Sequence, residues 1–62
     1  MNLQEGSIIS GPFWGEAVRV EKVESILDRI RIVGYTINSK QFVDRILKKE
    51  DLERVKILKP GL

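Results

Sequence analysis

Residues 28–35, Asp28-Arg29-Ile30-Arg31-Ile32-Val33-Gly34-Tyr35, alternate charged and branched apolar side chains with a period of two. That spacing sends Ile30 and Ile32 to one face and Arg29, Arg31, Val33 and Tyr35 to the other, as in a strand with one face on a core. Gly34 falls on the inward phase, where a close backbone approach or a kink is expected. Asp28 suits the turn that starts this strand.

Towards the N-terminus, Ala17 to Val23 repeats the pattern, with Val18 and Val20 inward and Arg19 and Glu21 outward. Val23 is out of phase with that pair. One extra residue near Lys22 restores the phase, which predicts a β-bulge of the kind that bends a strand around the corner of a small barrel. Glu24 to Asp28 is read as the connection. Further upstream, Ser7-Ile8-Ile9-Ser10 reads as a short first strand between Gly6 and Gly11, and Gly11-Pro12 turns the chain. Phe13 and Trp14 then lie in a loop closed by Gly15, and Met1 to Glu5, without periodicity, forms a lead-in.

Towards the C-terminus, Thr36 to Lys40 is a turn. In residues 41–48, Phe42, Val43, Ile46 and Leu47 suit either a helix, which Ser39 would cap, or a buried strand. The meander already under way favours a fourth strand. Glu50 to Val55 reads as one helical turn, acidic at its start and basic at its end, as the helix dipole prefers. Lys56 to Leu58 supplies a last strand. The chain is thus expected to be all-β: a single five-stranded SH3-like barrel over residues 1–62, closed so that no edge is exposed, with one helical turn before the final strand. Its inward set is Ile8, Val18, Val20, Ile30, Ile32, Phe42 or Val43, Ile46, Leu52, Val55 and Ile57.

With 62 residues, 42% of them apolar, the chain makes one small folded domain with a modest core. It has no cysteine and no histidine, which excludes disulfides, thiolate or imidazole metal sites and histidine catalysis. No cofactor is expected. Apolar runs are far too short to span a bilayer and no signal-peptide plan opens the chain, so a cytoplasmic domain, monomeric in isolation, is expected. The charge of +2 is unevenly placed: residues 1–31 carry four basic and five acidic side chains, residues 32–62 seven basic and four acidic.

A unit this small leaves little room for an enclosed catalytic pocket, so function is expected on its surface. Arg29, Arg31 and Lys40, with Arg45, Lys48 and Lys49, would form a basic strip along one wall, able to hold phosphates weakly and without sequence preference. The alternative is a solvated face paired across strands with Glu21, Asp28 and Asp44. Aromatics beside basic side chains are stacking platforms for bases, which makes Tyr35 and Trp14 candidates. Trp14 suits a core plug equally well, and Phe13 suits a plug better. An exposed aromatic could also grip a peptide. Glu50, Asp51 and Glu53 open a helical turn and have no nucleophile or base nearby in sequence, so they are not read as catalytic.

Glu5-Gly6-Ser7-Ile8, Gly11-Pro12-Phe13-Trp14, Val18, Val20, Asp28-Arg29-Ile30-Arg31-Ile32, Ile46-Leu47, Glu50-Asp51-Leu52 and Val55-Lys56-Ile57 together resemble the extreme N-terminus of prokaryotic Swi/Snf-type DEAD/DEAH-box helicases. The resemblance spans nearly all of the chain. It implies an accessory domain ahead of a two-lobed ATP-driven motor acting on duplex nucleic acid, with Lys59-Pro60-Gly61-Leu62 leading toward that motor. The partner would be nucleic acid or the motor lobes of the same chain, and a peptide-binding barrel or a structural cap would be the alternatives. Gly15 and Ala17 lie where members often place proline, and Lys48 where a Ser or Thr cap is common. The Trp14 loop is accordingly expected to be less rigid and the helical turn less firmly capped. There is no GxxxxGK[ST] loop and no DEAH-like motif in the sequence, so ATP-dependent activity would belong to the motor and not to this domain.

Overall fold

The computed structural model describes residues 3–61, so the first two residues of the expected lead-in and Leu62 of the tail lie outside the described residues. The chain forms β1 (Ile8–Ser10), β2 (Val18–Ile26), β3 (Arg29–Thr36), β4 (Phe42–Lys48), the one-turn helix α1 (Lys49–Leu52) and β5 (Lys56–Lys59). All five strands lie in one antiparallel sheet ordered β4-β3-β2-β1-β5. Residues 42–48 are a strand, as the meander predicts, and the alternative helix does not form. Among the described residues no helix is long and apolar enough to cross a membrane.

The β2–β3 ladder is the longest and carries the bulge read from the phase of Val23. Val20 pairs with Gly34 and Lys22 with Val33, so Glu21 is the extra residue, and Val23 returns to the inner face opposite Ile32. The expected connection at Glu24 to Asp28 is shorter than the sequence suggested. Ile26 already pairs with Arg29, leaving Leu27 and Asp28 alone to turn the hairpin. Leu27 takes a positive φ of 55° there and is 97% exposed. Polar side chains in this region disguise the extension of β2, because Glu24, Ser25 and Ile26 reach past the core.

One face of the sheet buries Ile9, Val18, Val20, Ile32, Val43, Leu47 and Val55, with Trp14, Phe13, Val23, Ile30, Leu52 and Ile57 packed around them. Two inward assignments from the sequence are corrected. Ile9 and not Ile8 faces the core, and Leu47 and not Ile46; of the pair Phe42 and Val43, it is Val43 that is buried. Adjacent apolar residues carry no phase of their own, and the partner strand sets it: Val43 and Leu47 lie opposite Gly34 and Ile30.

The expected closure is also corrected. β4 and β5 are the two ends of the strand order, and no ladder joins them among the described residues. Chain from Lys49 to Val55 bridges the gap instead, with α1 at its start and Val55 buried at its end. The Asp51 carboxylate accepts the Lys48 N–H at 3.2 Å, half of a capping box whose other half Lys48, lacking an acceptor, cannot supply.

Candidate functional site

The registers place one row of side chains across all five strands on the outer face. Phe42 pairs with Tyr35, Tyr35 with Arg19, Arg19 with Ile8, and Ile8 with Lys59. Paired residues in a ladder project from the same face, so the series from Phe42 to Ile8 is one continuous stripe, and Lys59, beyond an irregularity in the β1–β5 register, shares its groove with Ile8. Tyr35 and Phe42 meet edge to face, with ring centroids 5.7 Å apart and an interplanar angle of 66°. Both stay open to solvent, 47% and 61% exposed.

Lys40 joins the row from the β3–β4 turn. The turn is held by Thr36, whose N–H donates to the Gln41 carbonyl at 2.9 Å and whose hydroxyl accepts the Gln41 N–H at 2.8 Å. Across the gap, the Glu16 carboxylate accepts the N–H groups of Asn38 at 2.7 Å and Ser39 at 3.0 Å, and the Ser39 hydroxyl. Those bonds, the Ser39 hydroxyl first, hold the Glu16 carboxyl below the usual carboxylate range. Lys40 itself sits at a φ of 58°, the left-handed position that ends the turn and returns the chain to β4.

Between β1 and this turn lies a shallow groove of about 270 Å³, lined by Ile8, Arg19, Tyr35, Lys40 and Lys59 among others and, among the described residues, by no carboxylate. Arg19 keeps one loose pairing with Glu21, at 3.9 Å. Lys40 and Lys59 form no ion pair among the described residues. Three cations around one groove repel each other, and an anion between them relieves that repulsion.

The other candidates fall in different places, and the single basic strip expected from the sequence is divided. Arg31 is occupied: its Nε and Nη2 donate to the two Asp44 oxygens at 2.8 and 2.6 Å, and Nη1 donates to Glu24 at 3.1 Å. The Asp44 hydrogen bonds and charge, followed by Glu24, hold the Arg31 guanidinium more firmly charged than usual, and Arg31 in turn holds the Asp44 carboxyl below its usual range. One cation between two carboxylates leaves that part of the face without positive charge to offer. Arg29 and Lys48 face each other beyond it, near the Leu27 hairpin. Six residue steps along β3 separate Arg29 from Tyr35, roughly 20 Å at the rise of a strand.

Arg45 lies on the inner phase of β4, opposite Ile32, and its guanidinium carbon stands 5.3 Å from the centre of the Phe13 ring. It caps the core at the open side of the sheet. Lys49 belongs to α1 and borders an apolar opening with Ile30 and Leu52. Trp14 is a plug: it packs on the core cluster, stacks edge-on against Phe13 at 5.7 Å, and buries an indole N–H that has no partner among the described residues. Of the sequence-derived candidates, only Tyr35 and Lys40 share the groove. Sequence reasoning missed Arg19, Lys59 and Phe42; for Arg19 the available signal was its outward phase between Val18 and Val20. Comparison with known proteins finds no family model that matches the chain and no similar curated protein or solved structure.

Proposed function

We propose that this chain is a non-catalytic accessory domain that contacts nucleic acid, weakly and without sequence preference, through the row on its outer face, ahead of a helicase-like ATP-driven motor. The observation that carries the nucleic-acid reading is the convergence of Arg19, Lys40 and Lys59 on one groove that no carboxylate lines among the described residues, beside two exposed aromatic rings. Three phosphate contacts correspond to non-specific affinities of about 10⁻⁴ to 10⁻⁶ M and to a fall of log K with log salt of slope roughly −2 to −3. The link to a helicase rests on the residue pattern running from Glu5-Gly6-Ser7-Ile8 to Val55-Lys56-Ile57. The strand order and the helical turn before β5 support counting the domain among SH3-like barrels, here without a closing ladder.

The test is a titration of the domain with short DNA and RNA, following backbone amide shifts at low and moderate salt. Shifts gathered on Ile8, Arg19, Tyr35, Lys40 and Lys59 that fade with salt support the reading. Lys40→Gly removes one cation at a backbone position glycine accepts, and together with Lys59→Gln it abolishes those shifts while leaving the dispersion of the spectrum intact. Flat spectra at low salt overturn the nucleic-acid reading and move the contact to the motor lobes.

A further inference from the structure

We infer that the nucleic acid taken by this row is single-stranded, with bases stacked on Tyr35 and Phe42 and the sugar-phosphate backbone running toward Arg19, Lys40 and Lys59. This inference rests on the nucleic-acid reading above and adds the form of the strand.

Three features of the row carry it. First, the two rings meet edge to face, so neither covers the other, and both remain open to solvent on the outside of the sheet. An exposed ring offers a stacking surface only to a base whose own face is free, and in a duplex every base face is already covered by its neighbours. Second, rings and cations stand side by side in the row. Phe42 and Tyr35 occupy β4 and β3, Lys40 leaves the turn between those strands, Arg19 pairs with Tyr35 from the next strand, and Lys59 stands on the far edge. Each nucleotide carries both a base and a phosphate, so a base stacked on Tyr35 has cations beside it for its own phosphates. Third, the row spans four interstrand steps of about 4.8 Å, some 19 Å in all, enough for about five nucleotides at the ~3.4 Å rise of a stacked strand and for fewer once bases separate to stack on the rings. That is near the lower limit of site sizes for small folds that bind single strands.

A phenylalanine and a tyrosine on the solvent side of a strand need explaining in any case. Val43 and Leu47 already fill the β4 contribution to the core, so Phe42 adds nothing to it. Neither does Tyr35, which shares the outward phase with Arg29 and Arg31.

The experiment compares a ten-nucleotide oligothymidylate with a ten-base-pair duplex, titrated by NMR against the wild-type chain and against Tyr35→Val and Phe42→Val, at low salt. The expected result is tighter binding of the single strand by tenfold or more. Each valine variant should weaken it by roughly five- to a hundred-fold while barely changing duplex affinity. Both variants keep a β-preferring side chain at an exposed position. In the wild type, the ring protons of Tyr35 and Phe42 should also shift upfield on addition of the single strand, a readout independent of any variant. Equal affinity for both forms, with valine variants like wild type and unmoved ring protons, overturns the inference but leaves the nucleic-acid reading standing. No binding to either form overturns both.

Discussion

A β-carbon on Gly34 would overlap the carbonyl oxygen of Arg19 on the neighbouring strand and lie 3.2 Å from the Val20 Cα. Gly34 faces Val20 immediately beside the extra residue Glu21, so the backbones of β2 and β3 approach there more closely than a side chain allows. Both colliding atoms are backbone and cannot swing aside. Gly34→Ala should therefore cost about 3 kcal/mol or more, a large part of the roughly 3 to 9 kcal/mol available to a domain of this size. Urea unfolding measures the loss, and a variant as stable as wild type would mean that the two strands can part at this point without penalty.

Leu27 presents the opposite case, a side chain where glycine would be better. Its positive φ costs a branched residue about 1–2 kcal/mol, and with almost all of its surface in water it recovers nothing by burial. Two-residue hairpin turns with a left-handed first position prefer glycine. Leu27→Gly should raise stability by about 1 kcal/mol after the chain-entropy cost, a rise in Tm of about 4–8 °C. A lower Tm would show that Leu27 packs on its hairpin.

Acid should weaken this domain through two carboxylates. Glu16, held chiefly by the Ser39 hydroxyl, and Asp44, held chiefly by Arg31, both have folded-state pKa values below their ordinary ones. The stability they add is complete above the unfolded values of about 4.3 and 3.9 and is lost as pH falls through the lower folded values. Thermal melts should be unaffected by these groups from pH 7 to about 5 and should decline below about pH 4. Glu16→Gln and Asp44→Asn should each start lower at pH 7 and show a shallower decline. A decline as steep as wild type in both variants would place the acid sensitivity elsewhere.

Trp14→Ala should destabilise the fold by about 3 kcal/mol, because the indole closes the core beside Phe13. Trp14→Phe keeps the plug in reduced form and removes the unpartnered N–H. It should lose much less stability and should leave any oligonucleotide affinity unchanged. A loss of affinity without a loss of stability would return Trp14 to the binding surface.

Much of the architecture was legible because period-two alternation in Val18 to Val20 and Arg29 to Tyr35 survives into the sheet residue by residue. The bulge was legible for the same reason, as a broken phase at Val23. Ile8-Ile9, Phe42-Val43 and Ile46-Leu47 were not, since side-by-side apolar residues fit either face and only the ladder to the next strand chooses. Arg45 compounded this by taking the inner phase of β4 while staying exposed, its guanidinium over the Phe13 ring. The site was harder still. Arg31 looked like its most prominent cation until the register brought Asp44 and Glu24 to it, while Arg19 and Lys59 are forty residues apart and meet only through Ile8.

The pairing of Ile8 with both Arg19 and Lys59 would make the proposed recognition contingent on assembly. Since β5 contributes the last cation, the groove is complete only when the first and last strands have zipped together, and a bound polyanion would then fasten the seam that created its site. Saturating oligonucleotide should protect that seam against thermal opening by mass action, by about 2.7 kcal/mol at a hundred times Kd. The domain would thus report on its own integrity, gripping a strand only while it is whole.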